Sequence, residues 1–389
     1  MGNISKLKKI ENVKTYHGDI VHKDEYAYVD QPHNILEVLK DPSKVIPEVR
    51  KYIDENNERS KNYFKDVQHL QEKLFTEIKG KIKLDDTSLK FKDKKFYYWS
   101  RTEKKGDYGK RVRQLIDGSK PEEVFWDGDQ EKKRLKADFF STGATSVSHC
   151  DNYLAYSLDL QGSEYYTIYL RNLETGRELD DIIHNTGGSI TWALDSKSFF
   201  YSKLDNYHRP RSIYRHELGK NVKDDQLIYD EKDDSFTCSI SLSSDEKYFV
   251  ISTGNHMTYE EHFFSCSEEN PKPVLFQKRK NEIRYTIDFW KDGFIYIHTN
   301  ENAEDYKVLR CKVNNLEKKE EFIPAKKGTI IGSLEFLDNY ILRGEKSNAI
   351  SKLYVRNIKT NTEEEIKISE DEIGCIGMSL LPQFVKHIP

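Results

Sequence analysis

The sequence predicts an all-β chain built as a β-propeller of the seven-bladed type, about six blades of it complete, preceded by an N-terminal α-helical segment. Three observations predict it. From about Leu89 onward apolar residues alternate with polar ones, as in half-buried strands, in runs such as KDKKFYYWSRT, CDNYLAYSLD, LDSKSFFYSKLD, SDEKYFVISTG, KDGFIYIHTN and LDNYILRGE. The turn aspartates of these runs, Asp151, Asp195, Asp245, Asp292 and Asp338, stand 44, 50, 47 and 46 residues apart, a spacing typical of propeller blades. A second strand with a charged hairpin repeats out of phase, as in VRQLIDGSKPEEVF, LRNLETGRELDDI, YRHELGKNVKDDQLIY, LRCKVNNLEKKEEFI and VRNIKTNTEEEIKI. Each unit then supplies about four strands, and one such sheet must stack between two neighbours to bury both faces.

The elements follow in order. Residues 1–87 form an N-terminal segment with helices. Pro47, suited to a first helical turn, opens a stretch that ends near Gly80; Val49, Tyr52 and Ile53, then Phe64, Val67, Leu70, Leu74 and Ile78, fall at helical spacing, so one long or two consecutive amphipathic helices are expected. Residues 88–389 form the propeller domain. Its blades are expected at about 88–127, 143–183, 188–231, 236–278, 283–325 and 330–369, with DGDQEKKRLKADFF inserted between the first two. The final EDEIGCIGMSLLPQFVKHIP reads as the opening strand of a truncated seventh blade and an unrelated end.

Composition narrows the function. Lys plus Arg number 62 against 66 Asp plus Glu, a formal charge of -4, which gives no electrostatic case for nucleic acid or an anionic membrane. Tyr (24) and Phe (19) are plentiful, as in packed strands. The five cysteines are odd in number and far apart, without Cys-x-x-Cys spacing, so neither a disulfide framework nor a zinc knuckle is indicated and a reducing cytoplasm fits best. The start, MGNISKLKKIENVKTYHGD, has no apolar run of signal-peptide length, Lys6 stands where a myristoylation signal needs Ser or Thr, and no stretch reaches the length of a membrane span.

Catalytic motifs are sparse. A nucleophile elbow needs Gly-x-Ser-x-Gly; Gly187-Gly188-Ser189-Ile190-Thr191 and Gly377-Met378-Ser379-Leu380-Leu381 both lack the second glycine. Twelve histidines include no His-Glu-x-x-His, and the closest pairs, His17 with His22 and His256 with His262, miss the i, i+4 spacing of a metal-binding helix, so they read as surface or hairpin residues. No phosphate-binding glycine loop occurs. The pairs Asp224-Asp225, Asp233-Asp234 and Glu260-Glu261 read as solvated turns, and Phe96-Tyr97-Tyr98-Trp99 as a packed blade strand. Catalytic, cofactor-binding and metal-binding residues are therefore each expected to be none, and no cofactor is expected.

Several segments in order resemble the N-terminal half of the prolyl oligopeptidase family of serine peptidases, and within it most the oligopeptidase B (protease II) group. They are LQEKLFTEIKGKIKLDDTSLKFKDKKFYYWSRTEKKGDY, DNYLAYSLDLQGSEYYTIYLRNLETGRELDDII and ITWALDSKSFFYSKLDNYHRPRSIYRHELG, joined by YHGDIVHKDEYAYVD, PEVRKYIDENNERSKNY, LIYDEKDDSFTCSISLSSDEKYFVIST and YTIDFWKDGFIYIHTNENAEDYKVLR. In the family's Asp-x-Tyr-x-Trp pattern Asp24 and Tyr26 match and Tyr28 replaces the Trp. The resemblance covers about residues 15–370.

It implies a cytosolic endopeptidase for short peptides, cutting after basic residues if the group assignment holds, in which a propeller caps an α/β-hydrolase domain carrying a Ser-Asp-His triad. The triad domain would follow this chain's last residue, so no catalytic residue carries over, and the chain alone is expected to be inactive with an unclosed ring. Its helices would expose Phe64, Leu70 and Leu74. The alternatives are a subunit of a split peptidase partnered by a separate hydrolase chain, and a non-catalytic propeller that binds peptides or proteins.

Overall fold

A computed structural model describes residues 6–18, 20–30 and 35–367; the sequence readings at Ser5, Cys375, Ser379 and the seventh-blade strand lie outside them. The leading segment holds a hairpin of Val13–Tyr16 with Ile20–Lys23 and three helices, α1 (Ile35–Lys40), α2 (Pro47–Tyr63) and α3 (Gln68–Gly80). Pro47 occupies the first turn of α2, where its missing N–H costs nothing. A single 3-10 turn at Lys65–Val67 separates α2 from α3, so the helical stretch is two consecutive helices.

Six antiparallel blades follow, spanning 86–127, 141–186, 191–230, 237–277, 285–323 and 329–365, the second and third of them joined into one sheet. The expected blades are all present, most boundaries shifted by one to three residues. Blade one begins on two short pieces, Asp86–Thr87 and Phe91–Asp93, that both pair with Phe96–Thr102; Tyr98 and Trp99 in that strand are buried. The insertion after blade one is α4 (Gly128–Leu135), capped by the Asp127 carboxylate accepting from the Gln130 amide at 3.1 Å.

The core lies between sheets. Buried clusters sit at each of the five seams: Tyr98, Trp126, Phe140, Leu154 and Tyr156 between blades one and two; Ile168, Leu170, Ile183, Trp192 and Phe199 between two and three; Phe200, Ile213, Phe249, Ile251 and Phe264 between three and four; Val250, Phe263, Tyr285, Phe289 and Ile295 between four and five; Trp290, Tyr296, Ile331, Phe336 and Ile341 between five and six. Among the described residues no ladder joins the sixth sheet to the first.

The repeating aspartates earn their spacing locally. Asp195, Asp245 and Asp292 each accept from the amide two residues on, at 2.8, 3.1 and 3.0 Å, and so close the turn between the first two strands. Asp151 is buried with φ +66 and accepts from the Tyr98 hydroxyl of blade one at 3.0 Å, while Asp338 takes Lys291 of blade five at 2.8 Å.

Gly187 and Gly188 carry the chain from blade two to blade three. Gly188 has φ +83, and a Cβ there would stand 2.8 Å from the Tyr166 ring. Gly188→Ala combines left-handed backbone with a clash, and it should destabilise the chain by about 2 kcal/mol in urea denaturation; an unchanged midpoint would show that this crossing tolerates a side chain.

Candidate functional site

Each blade has an even number of antiparallel strand passes, so the chain enters and leaves every blade at one end. Asp86 and Glu365 therefore lie at the same end, together with the loops joining second and third strands. That end carries the exposed Phe139, Tyr207 and Met257. Two of its loops are built rigidly. The buried Asp159 carboxylate gathers the amides of Gln161, Gly162 and Glu164 at 2.9, 3.0 and 2.7 Å, and Asp205 holds those of Tyr207 and Arg209 at 2.8 and 3.0 Å. His208 bonds the Ser163 carbonyl at 2.9 Å and meets the Tyr165 ring edge-on at 4.3 Å, tying the two loops together.

The helices feeding this end bury little. Phe64, Leu70, Leu74, Phe75, Ile78 and Ile82 are all exposed, whereas Val49 is buried. The expected exposure of Phe64, Leu70 and Leu74 is what the structure has, a contiguous apolar series seeking cover.

First strands form the inner edges, through which neighbouring blades touch. Exposed positions on or just before these strands include Gly143, Ser189, Ser239, Ser241, Thr286 and Ser333, small and mostly hydroxylated; Ile330 is an apolar exception. Alternation in Ser239-Ile240-Ser241 was the available sequence signal, but it does not separate an inner edge from any other half-exposed strand. A cavity of about 50 Å³ between blades five and six, lined by Thr286, Asp288, His298 and Ser333 among others, has room for water and not for a peptide side chain.

Ser189 lies 3.3 Å from the Ser202 hydroxyl at the crossing between blades two and three, and among the described residues no inner-edge hydroxyl is bonded to a histidine, the arrangement a serine nucleophile requires. Ser379, the other near miss, lies outside the described residues. No group of three or more metal-ligating side chains occurs among the described residues, and no helix among them is long and apolar enough to cross a membrane.

Two sequence readings are corrected. Asp224-Asp225 and Glu260-Glu261 are not simply solvated turns: Asp225 is bonded to His216 at 2.7 Å and to the Tyr201 hydroxyl at 2.7 Å, and both Glu260 and Glu261 are buried within a strand. Asp233 and Asp234 are exposed as expected. Not all histidines are superficial either, since His216 is fully buried. Burial here is imposed by neighbouring blades. Arg279 reaches back to Glu231 at the end of blade three, 2.7 Å, while pairing with Glu260 at 2.9 Å; burial pushes the Glu260 carboxyl up, but the hydrogen bonds and charge of Arg279 outweigh it and hold it below its usual range. Cys150, Cys238, Cys266 and Cys311 are free thiols.

A family model described as "Prolyl oligopeptidase, N-terminal beta-propeller domain" matches residues 6–380. Among curated proteins, Protease 2 of Moraxella lacunata is 27% identical over 357 residues, covering 90% of this chain and 49% of that protein. Dipeptidyl aminopeptidase BI of Pseudoxanthomonas mexicana is 25% identical over 393 residues, covering 97% and 52%. The chain thus spans about half the length of the curated relatives it matches. Among solved structures, oligopeptidase B from Leishmania major superposes with a TM-score of 0.84 at 19% identity, covering 95% of this chain and 54% of that one. Oligopeptidase B from Trypanosoma brucei does so at 0.82 and 20%, with the same coverages.

Proposed function

The chain belongs to the prolyl oligopeptidase family through its N-terminal β-propeller domain, and from that premise we propose that it is the substrate-gating part of an oligopeptidase B-like serine endopeptidase acting on short peptides after basic residues. One observation carries the reading. Both chain connections of the propeller, the exposed Phe139 and the tied loop bearing Tyr207 belong to one end, and the leading segment that enters there exposes Phe64, Leu70, Leu74 and Phe75. An end so equipped is suited to rest on a second domain, the hydrolase part, whose mouth the propeller then restricts. Size exclusion of this kind needs no chemistry from the propeller, which fits inner-edge hydroxyls without a histidine beside them.

The test is a fluorogenic Arg-Arg peptide offered to the purified 389-residue chain with and without a hydrolase part supplied separately. The chain alone should leave the peptide intact, and the mixture should cut it. Turnover by the chain alone would overturn the gating role, and a chain that neither binds nor alters the hydrolase part would favour an independent binding propeller. Replacing Phe64, Leu74 and Phe75 with serine should abolish co-elution with that part while leaving the chain's melting temperature within about 2 °C, because exposed side chains contribute little to folding.

A further inference from the structure

His216 is fully buried in the third strand of blade three, Pro210–Glu217. Its Nδ1 lies 2.7 Å from Asp225 Oδ1 and its Nε2 lies 2.9 Å from Asp181 Oδ1. Asp181 belongs to the last strand of blade two, Glu178–Thr186, so the imidazole spans the seam. Each carboxylate also receives a second donor: the Gly219 amide at 2.6 Å on Asp181 and the Tyr201 hydroxyl at 2.7 Å on Asp225.

A neutral imidazole offers one donor and one acceptor, whereas an ionised carboxylate only accepts. With both carboxyls ionised, both nitrogens donate and the ring is an imidazolium. The titratable groups facing it are Asp181, Asp225 and, through Asp225, Tyr201; Phe199 supplies an apolar wall at 5.4 Å. Burial opposes the charge, but the hydrogen bonds and negative charges of Asp225 and Asp181 outweigh it and raise the imidazole's pKa.

The same two blades are joined a second time. Thr186, at the far end of the Asp181 strand, pairs with Lys203 of blade three, and these two blades alone share one continuous sheet among the described residues. Five residue steps along the strand lead from Asp181 to Thr186, roughly 16 Å. Two ties that far apart fix rotation as well as distance. We propose that His216 is a charged latch that, with the Thr186–Lys203 bridge, makes blades two and three a single mechanical unit.

The latch has a defined pH dependence. A histidine whose pKa is raised by folding contributes its full stabilisation below the unfolded value of about 6.5, and loses it as pH rises through the folded value. Losing the proton would leave the two carboxylates, one from each blade, facing each other without a cation.

The experiment uses the intact chain. Nitrogen-15 spectra of the labelled histidines, with His216 assigned by His216→Gln, should show one imidazole keeping both N–H protons at about pH 7, above the ordinary histidine value of about 6.5. In Asp181→Asn, amide exchange in Glu178–Thr186 and Ser198–Leu204 should rise together, by about tenfold or more, the equivalent of one pKa unit of lost interaction. A singly protonated His216 at about pH 7, or exchange unchanged in both strands, would overturn the latch. If Asp181→Asn does not fold, the spectrum of the unaltered chain decides alone: two protons support the latch and one refutes it.

Discussion

Phe249→Ala should lower the unfolding free energy by about 3 to 5 kcal/mol, the usual cost of emptying a large buried aromatic site. Phe249 is 2% exposed and stands between the Phe200 ring of blade three at 4.7 Å and the Phe264 ring of its own blade at 5.4 Å, both tilted. Its deletion removes transfer energy and aromatic contacts together, and the surrounding strands are held by ladders on both sides, so they cannot collapse into the space. The location matters more than the residue type. Phe64→Ala removes the same atoms from an exposed position on the leading segment, and should change stability by no more than about 0.5 kcal/mol. Urea unfolding of the two variants beside the parent decides it. Equal midpoints would mean that the seams are not where this domain stores its stability, and the stacking argument for the propeller would fail with them.

That contrast also separates what could be read in the sequence from what could not. Strand alternation and turn closure are local: Asp195 caps its own turn two residues away, as Asp245 and Asp292 cap theirs, so the repeat and most blade boundaries were legible. The helical period at Pro47 to Gly80 was legible for the same reason. Burial of polar groups was not, because it depends on partners far along the chain. His216 meets Asp181 across 35 residues and Arg279 meets Glu231 across 48; within a short window Asp224-Asp225 and Glu260-Glu261 have the composition of solvated turns. Two acidic neighbours even fare differently. Asp225 is bonded to His216 and Tyr201, while Asp224 closes the 3-10 turn before it. The inner edge lay between these cases, with its small hydroxylated residues visible in the sequence and its position in the sheet order not.

Glu261→Gln should stabilise the chain, and the gain should grow with pH. Glu261 lies on Tyr259–Ser265, fully buried; one carboxyl oxygen accepts from the Ser252 hydroxyl at 2.7 Å, and the other has no hydrogen-bond partner. Burial pushes its pKa up to about 8, only partly offset by Ser252. For an acid raised on folding, the native state holds a proton that the unfolded chain has released between about pH 4.5 and pH 8, so stability falls as pH rises through that window. At 1.36 kcal/mol per unit the penalty reaches about 3 kcal/mol near pH 7. Glutamine keeps the shape and an acceptor for Ser252 without an ionisable proton, so the variant should match the parent near pH 4.5, exceed it by about 3 kcal/mol near pH 7, and reach its full advantage near pH 8. Because every other titrating group is common to both proteins, the difference between their urea midpoints across that range isolates this carboxyl. Parallel pH profiles would show that Glu261 is ionised in the folded chain and finds its missing partner in water.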